Sequence, residues 1–190
     1  REYTGTEPIN RIHWPTSLKR GELHVKEFDY TSEQSAWVLL NMETGVPSWE
    51  RPDEDSIERS ISRCRSVVEG FEAESIPYGF ECNAYSYDNP QDRGYKLYPG
   101  LGPSHLDQLL FILARIDYKP GIRFFKLLER AAQTAAGNTV VVITPVVLED
   151  YINHLNTLAK NASRVVLISE KNEFSHRLDH NIIIYLGGDK

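Results

Sequence analysis

The apolar positions of the chain change period along its length. Residues 35–42, SAWVLLNM, form a short and nearly continuous apolar run, whereas 56–74 places Ile57, Ile61, Cys64, Val67, Val68 and Phe71 at spacings of three and four. The first pattern predicts a buried strand and the second a helix with one stripe laid on a sheet. Asp53, Glu54, Asp55 and Ser56 supply capping side chains and first-turn acid for that helix. Residues 78–85 then alternate, with Tyr78, Phe80, Cys82 and Ala84 on one face and Gly79, Glu81, Asn83 and Tyr85 on the other. DNPQDRG at 88–94 predicts a turn, and YKLY at 95–98 an antiparallel return that makes a hairpin edge.

Two helices are predicted at 104–116 and 121–136, interrupted at Lys119-Pro120-Gly121 because proline cannot continue a helix. TVVVIT at 139–144 has the β-branched character of a strand buried on both faces. Residues 147–162 return to helical period through Leu148, Tyr151, Ile152, Leu155, Leu158 and Ala159, and RVVLIS and NIIIYLG supply two further strands. Strands alternating with helices predict an α/β domain over 35–190, its sheet mostly parallel with one antiparallel hairpin edge and helices on both faces. The first 34 residues differ in kind. They are basic, aromatic and irregular with one candidate strand at 23–28, and are expected to pack on the domain as an arm.

Composition narrows the class without changing this picture. A chain of 190 residues, 41% hydrophobic and 25% charged, reads as an ordinary soluble globular domain that needs no disulfide or metal to fold. Its net charge of −6 argues against a dedicated nucleic-acid binder, which requires clustered Lys and Arg. Cys64 and Cys82 both fall on packing faces and are expected to be buried and unpaired, as in a reducing compartment. No apolar stretch approaches the roughly 20 residues that span a bilayer. The chain opens at Arg1 without a methionine, which suggests a piece of a longer protein, so any membrane contact is expected only through segments absent from this chain.

The arm carries the most specific pattern. Tyr3, the run Arg11-Ile12-His13-Trp14, Arg20, and Leu23, Val25, Lys26, Glu27 and Phe28 leading into the first strand resemble the bacterial and archaeal family of unknown function numbered fifty-eight. Thr6-Glu7 departs from that family's Gly-Asp, and Leu18-Lys19 from its small residue and Arg. The resemblance covers about the first 45 residues by motif and the rest by order of elements. It implies a von Willebrand factor A-like domain at the end of a membrane-anchored parent, on its cytoplasmic side, encoded near a MoxR-type AAA+ ATPase. The family has no established enzymatic activity.

Typical domains of that fold hold Mg²⁺ through D-x-S-x-S after the first strand, a Thr from a loop between middle helices, and an Asp after the fourth strand. Mg²⁺ asks for hard oxygens at about 2.0–2.1 Å with carboxylates to balance charge. Aligned on the strand end, this chain offers Asn41-Met42-Glu43-Thr44-Gly45, and the later Asp falls at Thr144-Pro145. Asn41, Glu43, Gly45 and Thr144 therefore mark a degenerate metal site, expected to be metal-free. Two readings stand beside each other: short polar residues tying loop backbone at strand ends, or Glu43, with Thr44, Thr144 and the 53–55 acidic cluster near it, restoring cation binding.

Other chemistry is thinner. His176 and His180, with Glu173 and Asp179 near in sequence, have ligand-like spacing but sit in a loop-like segment. GLGPS at 100–104 could present backbone N–H groups to an anion, though it lacks the Lys-Ser/Thr of a phosphate loop. Arg11, His13, Trp14, Lys19, Arg20 and Lys26 are partner-binding candidates, against a reading in which Trp14 anchors the arm and the charges are its wet side. The expected function is a non-catalytic protein-interaction domain without a cofactor, its partner by resemblance the AAA+ ATPase. The alternative is a metal-assisted hydrolase using Glu43 and the 53–55 cluster.

Overall fold

The computed structural model describes residues 35–46, 52–86 and 93–187. The chain divides into two units, 1–31 and 32–190, and the described residues belong to the second. The arm, the strand expected at 23–28 and the candidates Arg11, His13, Trp14, Lys19, Arg20 and Lys26 lie outside the described residues, as do 88–92 of the turn expected at 88–94.

Seven strands form the sheet: β1 (Ala36–Leu40), β2 (Tyr78–Ser86), β3 (Arg93–Gly100), β4 (Ile116–Pro120), β5 (Thr139–Val146), β6 (Arg164–Lys171) and β7 (Ile182–Leu186). Their order is β3-β2-β1-β5-β6-β7, with β4 added to β2 off that path. β1 pairs in parallel with β2 and with β5, whereas β3 returns antiparallel to β2. The helices are α1 (Glu54–Ala73), α2 (Pro103–Leu113), α3 (Phe124–Thr134) and α4 (Ile152–Asn161). This is an α/β fold of the Rossmann-like, von Willebrand A type.

The double-sided burial of the central strands follows from the pleat. In β5, Val140 and Val142 enter the core layer with Leu127, Leu128, Leu155 and Leu158 of α3 and α4. Val141 and Ile143 enter the opposite layer with Ile57, Cys64 and Val68 of α1 and Leu109 of α2. A strand covered on both faces must be apolar at every position, which is why 139–143 shows no alternation. α1 begins where Asp53 Oδ1 accepts the Ser56 N–H at 3.2 Å, and it ends before Ser75, which takes a positive φ of 55°.

Three sequence expectations are corrected. The helix predicted at 104–116 stops at Leu113, and 116–120 is a strand. β4 pairs antiparallel with the far end of β2, Pro120 opposite Ala84 and Ile116 opposite Ser86, beyond Cys82 where β1 runs out of partners. Five residues with no apolar alternation carry no strand signal of their own, and the pairing is supplied by the edge that β1 leaves open. The following helix starts at Phe124 rather than Gly121, because the N–H groups of Gly121 and Ile122 are spent on Asn83 O, at 2.6 and 3.4 Å. The helix predicted at 147–162 likewise opens with a 3₁₀ turn, Glu149–Tyr151, before α4.

Candidate functional site

The strand order reverses between β1 and β5, and the carboxyl ends of these two strands carry Asn41 and Thr144. In an open α/β sheet this switch point is where a crevice forms. Here polar side chains fill it. Asn41 Nδ2 donates to Thr144 Oγ1 at 2.9 Å, and Thr144 Oγ1 donates onward to Val146 O at 2.7 Å. Asn41 Oδ1 accepts from Glu43 N–H at 2.9 Å and from Asn83 Nδ2 at 3.1 Å, while Asn83 Oδ1 takes the Met42 N–H at 2.8 Å. Asn41, Asn83 and Thr144 are buried, so each of these bonds satisfies a group that water does not reach.

Glu43 is the charged member, and its side chain is 0% exposed. Its Oε2 accepts the hydroxyl proton of Tyr151 and the Phe124 N–H, the latter at 3.2 Å, at the first turn of α3. Its Oε1 lies 2.7 Å from Arg123 Nε. That N–H is not aimed along the contact, so the pair is held by charge rather than by an aligned hydrogen bond. Arg123 is 32% exposed, and its Nη2 lies 2.6 Å from Asp150 Oδ2. Burial, and after it the Glu43 charge, hold the Tyr151 hydroxyl well above the ordinary tyrosine range, so Tyr151 serves as a proton donor to the carboxylate. Three connections and two strands thus converge: the connection after β1 brings Asn41 and Glu43, β2 brings Asn83, β5 brings Thr144, the connection between β4 and α3 brings Arg123, and the one after β5 brings Asp150 and Tyr151.

The sequence candidates divide accordingly. Asn41, Glu43 and Thr144 come together, whereas a side chain at Gly45 would meet nothing within 4 Å of its Cβ. Asp53, Glu54 and Asp55 are exposed at the start of α1 and do not reach Glu43; Asp53 caps the helix. Asn83, Arg123, Asp150 and Tyr151 were not singled out by sequence. In the sequence Asn83 reads as the polar face of a half-covered strand, Tyr151 as part of an apolar stripe, and Arg123 as a residue inside a helix.

A divalent cation does not fit these residues. Both oxygens of Glu43 are engaged, and a guanidinium already lies against one of them. Among the described residues no three His, Cys, Asp or Glu side chains converge as a ligand set, the group near His176 and His180 included. Neither cysteine is an activated nucleophile. Cys64 and Cys82 are free and buried, and burial raises both thiols, Cys82 to about 12. The N–H of Gly102, in the GLGPS turn, is taken by the chain's own Glu72 carboxylate at 3.0 Å.

No family model matches the sequence, and no curated protein matches it. The chemistry of the site accordingly rests on its own side chains.

A second polar group lies outside this network. Glu170, at the end of β6, receives Arg59 Nε at 2.7 Å, Arg63 Nη1 at 2.9 Å and Ser56 Oγ at 3.0 Å, joining the sheet to the first turns of α1. The Arg59 hydrogen bond, above all, holds its carboxyl below the usual glutamate range. A depressed folded-state pKa contributes stability that is present above the unfolded value, about 4.3 for glutamate, and lost as pH falls through the folded value. Glu170→Gln is therefore expected to cost on the order of 1 kcal/mol at neutral pH, discounted for the partial exposure of both arginines, and nothing at strongly acid pH. Urea midpoints of both proteins across pH test this, and a difference independent of pH would refute it.

Proposed function

We propose that this domain is a non-catalytic protein-interaction module of von Willebrand A type whose strand-tip surface works without a divalent ion. The observation that carries this reading is the state of Glu43, the charged group at the switch point, which is fully buried and committed to Arg123, Tyr151 and the Phe124 N–H. A carboxylate so enclosed, with a guanidinium against one oxygen and two donors on the other, is closed to the water it would activate and to the metal shell it would complete. Neither requirement of the hydrolase reading is supported, since the 53–55 acids face solvent.

By the resemblance of the 3–28 segment, the partner is a MoxR-type AAA+ ATPase and the parent protein is membrane-anchored with this domain on the cytoplasmic side. Among the described residues no helix is long and apolar enough to cross a membrane.

Calorimetric titration with MgCl₂ and MnCl₂ is expected to give no saturable heat in the micromolar range, and capture of the ATPase by the immobilised domain is expected to persist in EDTA. Micromolar cation binding that Glu43→Gln abolishes would overturn the metal-free reading. Failure to retain the ATPase under any condition would overturn the partner.

A further inference from the structure

We infer that the Arg123 guanidinium is the resident cation of the switch-point crevice, holding between the Glu43 and Asp150 carboxylates the position that a bound cation would otherwise have to fill. This deepens the metal-free part of the reading above and does not depend on the identity of the partner.

The argument starts from burial. A carboxylate with 0% exposed surface needs a positive charge close by, since hydrogen bonds from one hydroxyl and one amide do not replace its hydration. Glu43 comes from the β1 connection and Asp150 from the 3₁₀ turn after β5, so two acids from separate loops point at one place. The guanidinium occupies that place, with Nε 2.7 Å from one acid and Nη2 2.6 Å from the other. Its backbone fixes it there: Arg123 is the residue before the first turn of α3, in extended conformation (φ −65°, ψ 136°), and the next N–H is bound to Glu43 itself.

Arginine suits the task in a way lysine does not. A rigid planar fork presents separate N–H groups to two carboxylates at once and stays charged at every working pH, whereas an ammonium is a compact, strongly hydrated point charge with no fixed direction. The guanidinium also lies 5.6 Å from the centre of the Phe125 ring, which in turn stacks on His154. The cation is thereby supported on its outer side as well. The off-line Nε–H and the otherwise unbonded Glu43 Oε1 fit a cation shared between two acids rather than a fork docked squarely on one. A charge supplied by the chain leaves the crevice in one state whatever the metal concentration outside.

Thermal unfolding of the full chain tests this through chemical rescue. Arg123→Ala is expected to lower the midpoint by about 5–10 °C. Millimolar ethylguanidinium should restore part of that loss, and Mn²⁺ doing so would be the same result with another cation. Neither additive should shift wild type, nor the double variant Glu43→Gln/Arg123→Ala, in which no buried acid waits for a charge. An unchanged midpoint in Arg123→Ala, or equal rescue of the double variant, overturns the inference while leaving a metal-free domain intact. Stabilisation of wild type by divalent ions overturns both. Should Arg123→Ala fail to fold, Arg123→Lys decides through Asp150→Asn. Asp150→Asn should lower the midpoint in the arginine background and leave it unchanged in the lysine background, and an equal loss in both would sink the inference.

Discussion

Glu43→Gln is expected to destabilise the domain by about 3 kcal/mol at neutral pH, the lower end of the range for removing one partner of a buried ion pair. The substitution keeps the volume of the side chain, so no cavity forms. What changes is polarity: if the amide oxygen keeps Tyr151 and the Phe124 N–H, the amide nitrogen must face Arg123, setting donor against donor where Glu43 Oε1 lay 2.7 Å from Nε. The lower end applies because Arg123 is 32% exposed and retains Asp150, so the orphaned cation can turn toward water. Urea unfolding monitored by tryptophan fluorescence and by circular dichroism measures it. A loss below about 1 kcal/mol, the size of an exposed pair, would show that the Glu43–Arg123 contact contributes no more than surface charge does.

Asn41→Asp is the second large effect, and it is the less intuitive because the two side chains have nearly the same shape. The acceptor side of Asn41 survives, since Oδ1 still receives Glu43 N–H and Asn83 Nδ2. The donor side does not. Nδ2 gives protons to Thr144 Oγ1 at 2.9 Å and approaches Glu43 O and Tyr151 OH, both at 3.4 Å, so an oxygen there faces oxygens. It also brings a second buried carboxylate close to Glu43, whose own cation is already shared with Asp150.

A cost of about 2–4 kcal/mol at neutral pH is expected, the sum of a lost buried hydrogen bond and an unpaired buried charge. Burial raises the pKa of the introduced carboxyl, so the folded form binds its proton more tightly than the unfolded form does. The penalty is then largest at high pH and shrinks as pH falls through that raised value. Unfolding curves at acid and alkaline pH check the sign. A penalty that grows on acidification, or a stabilised variant, would mean that Asn41 is not the donor assigned here.

These two residues also measure how far the sequence could be followed. Asn41 and Glu43 were visible as the end of an apolar run that stops at an amide and a carboxylate, and Thr144 as its counterpart after the second central strand. That legibility is local, because strand ends are where β-branched runs stop. Arg123 was not legible. It stands 80 residues from Glu43 in the chain, beside a proline-glycine break that reads as nothing more than a helix boundary. Only the antiparallel addition of β4 to the open end of β2 turns that segment so that Arg123 and the first turn of α3 meet the strand tips. Tyr151 was hidden differently. Its place in an apolar stripe was read correctly, since its ring packs edge-on against Phe124 at 5.3 Å, but the stripe gives no hint of where the hydroxyl ends.

By itself, then, the sequence determined the alternation of strands and helices, the hairpin at the sheet edge and the double burial of 139–143, because each is set by a period of two or of about 3.6 among neighbouring residues. It also placed Asn41, Glu43 and Thr144 at the ends of the two central strands, where the resemblance leads one to expect metal-ligating carboxylates. Tertiary structure alone decided what surrounds them, since pairing a buried acid with a cation is a matter of which loops meet above the sheet. That meeting is fixed by strand order and by one short edge strand, neither of which leaves a periodic trace in the chain.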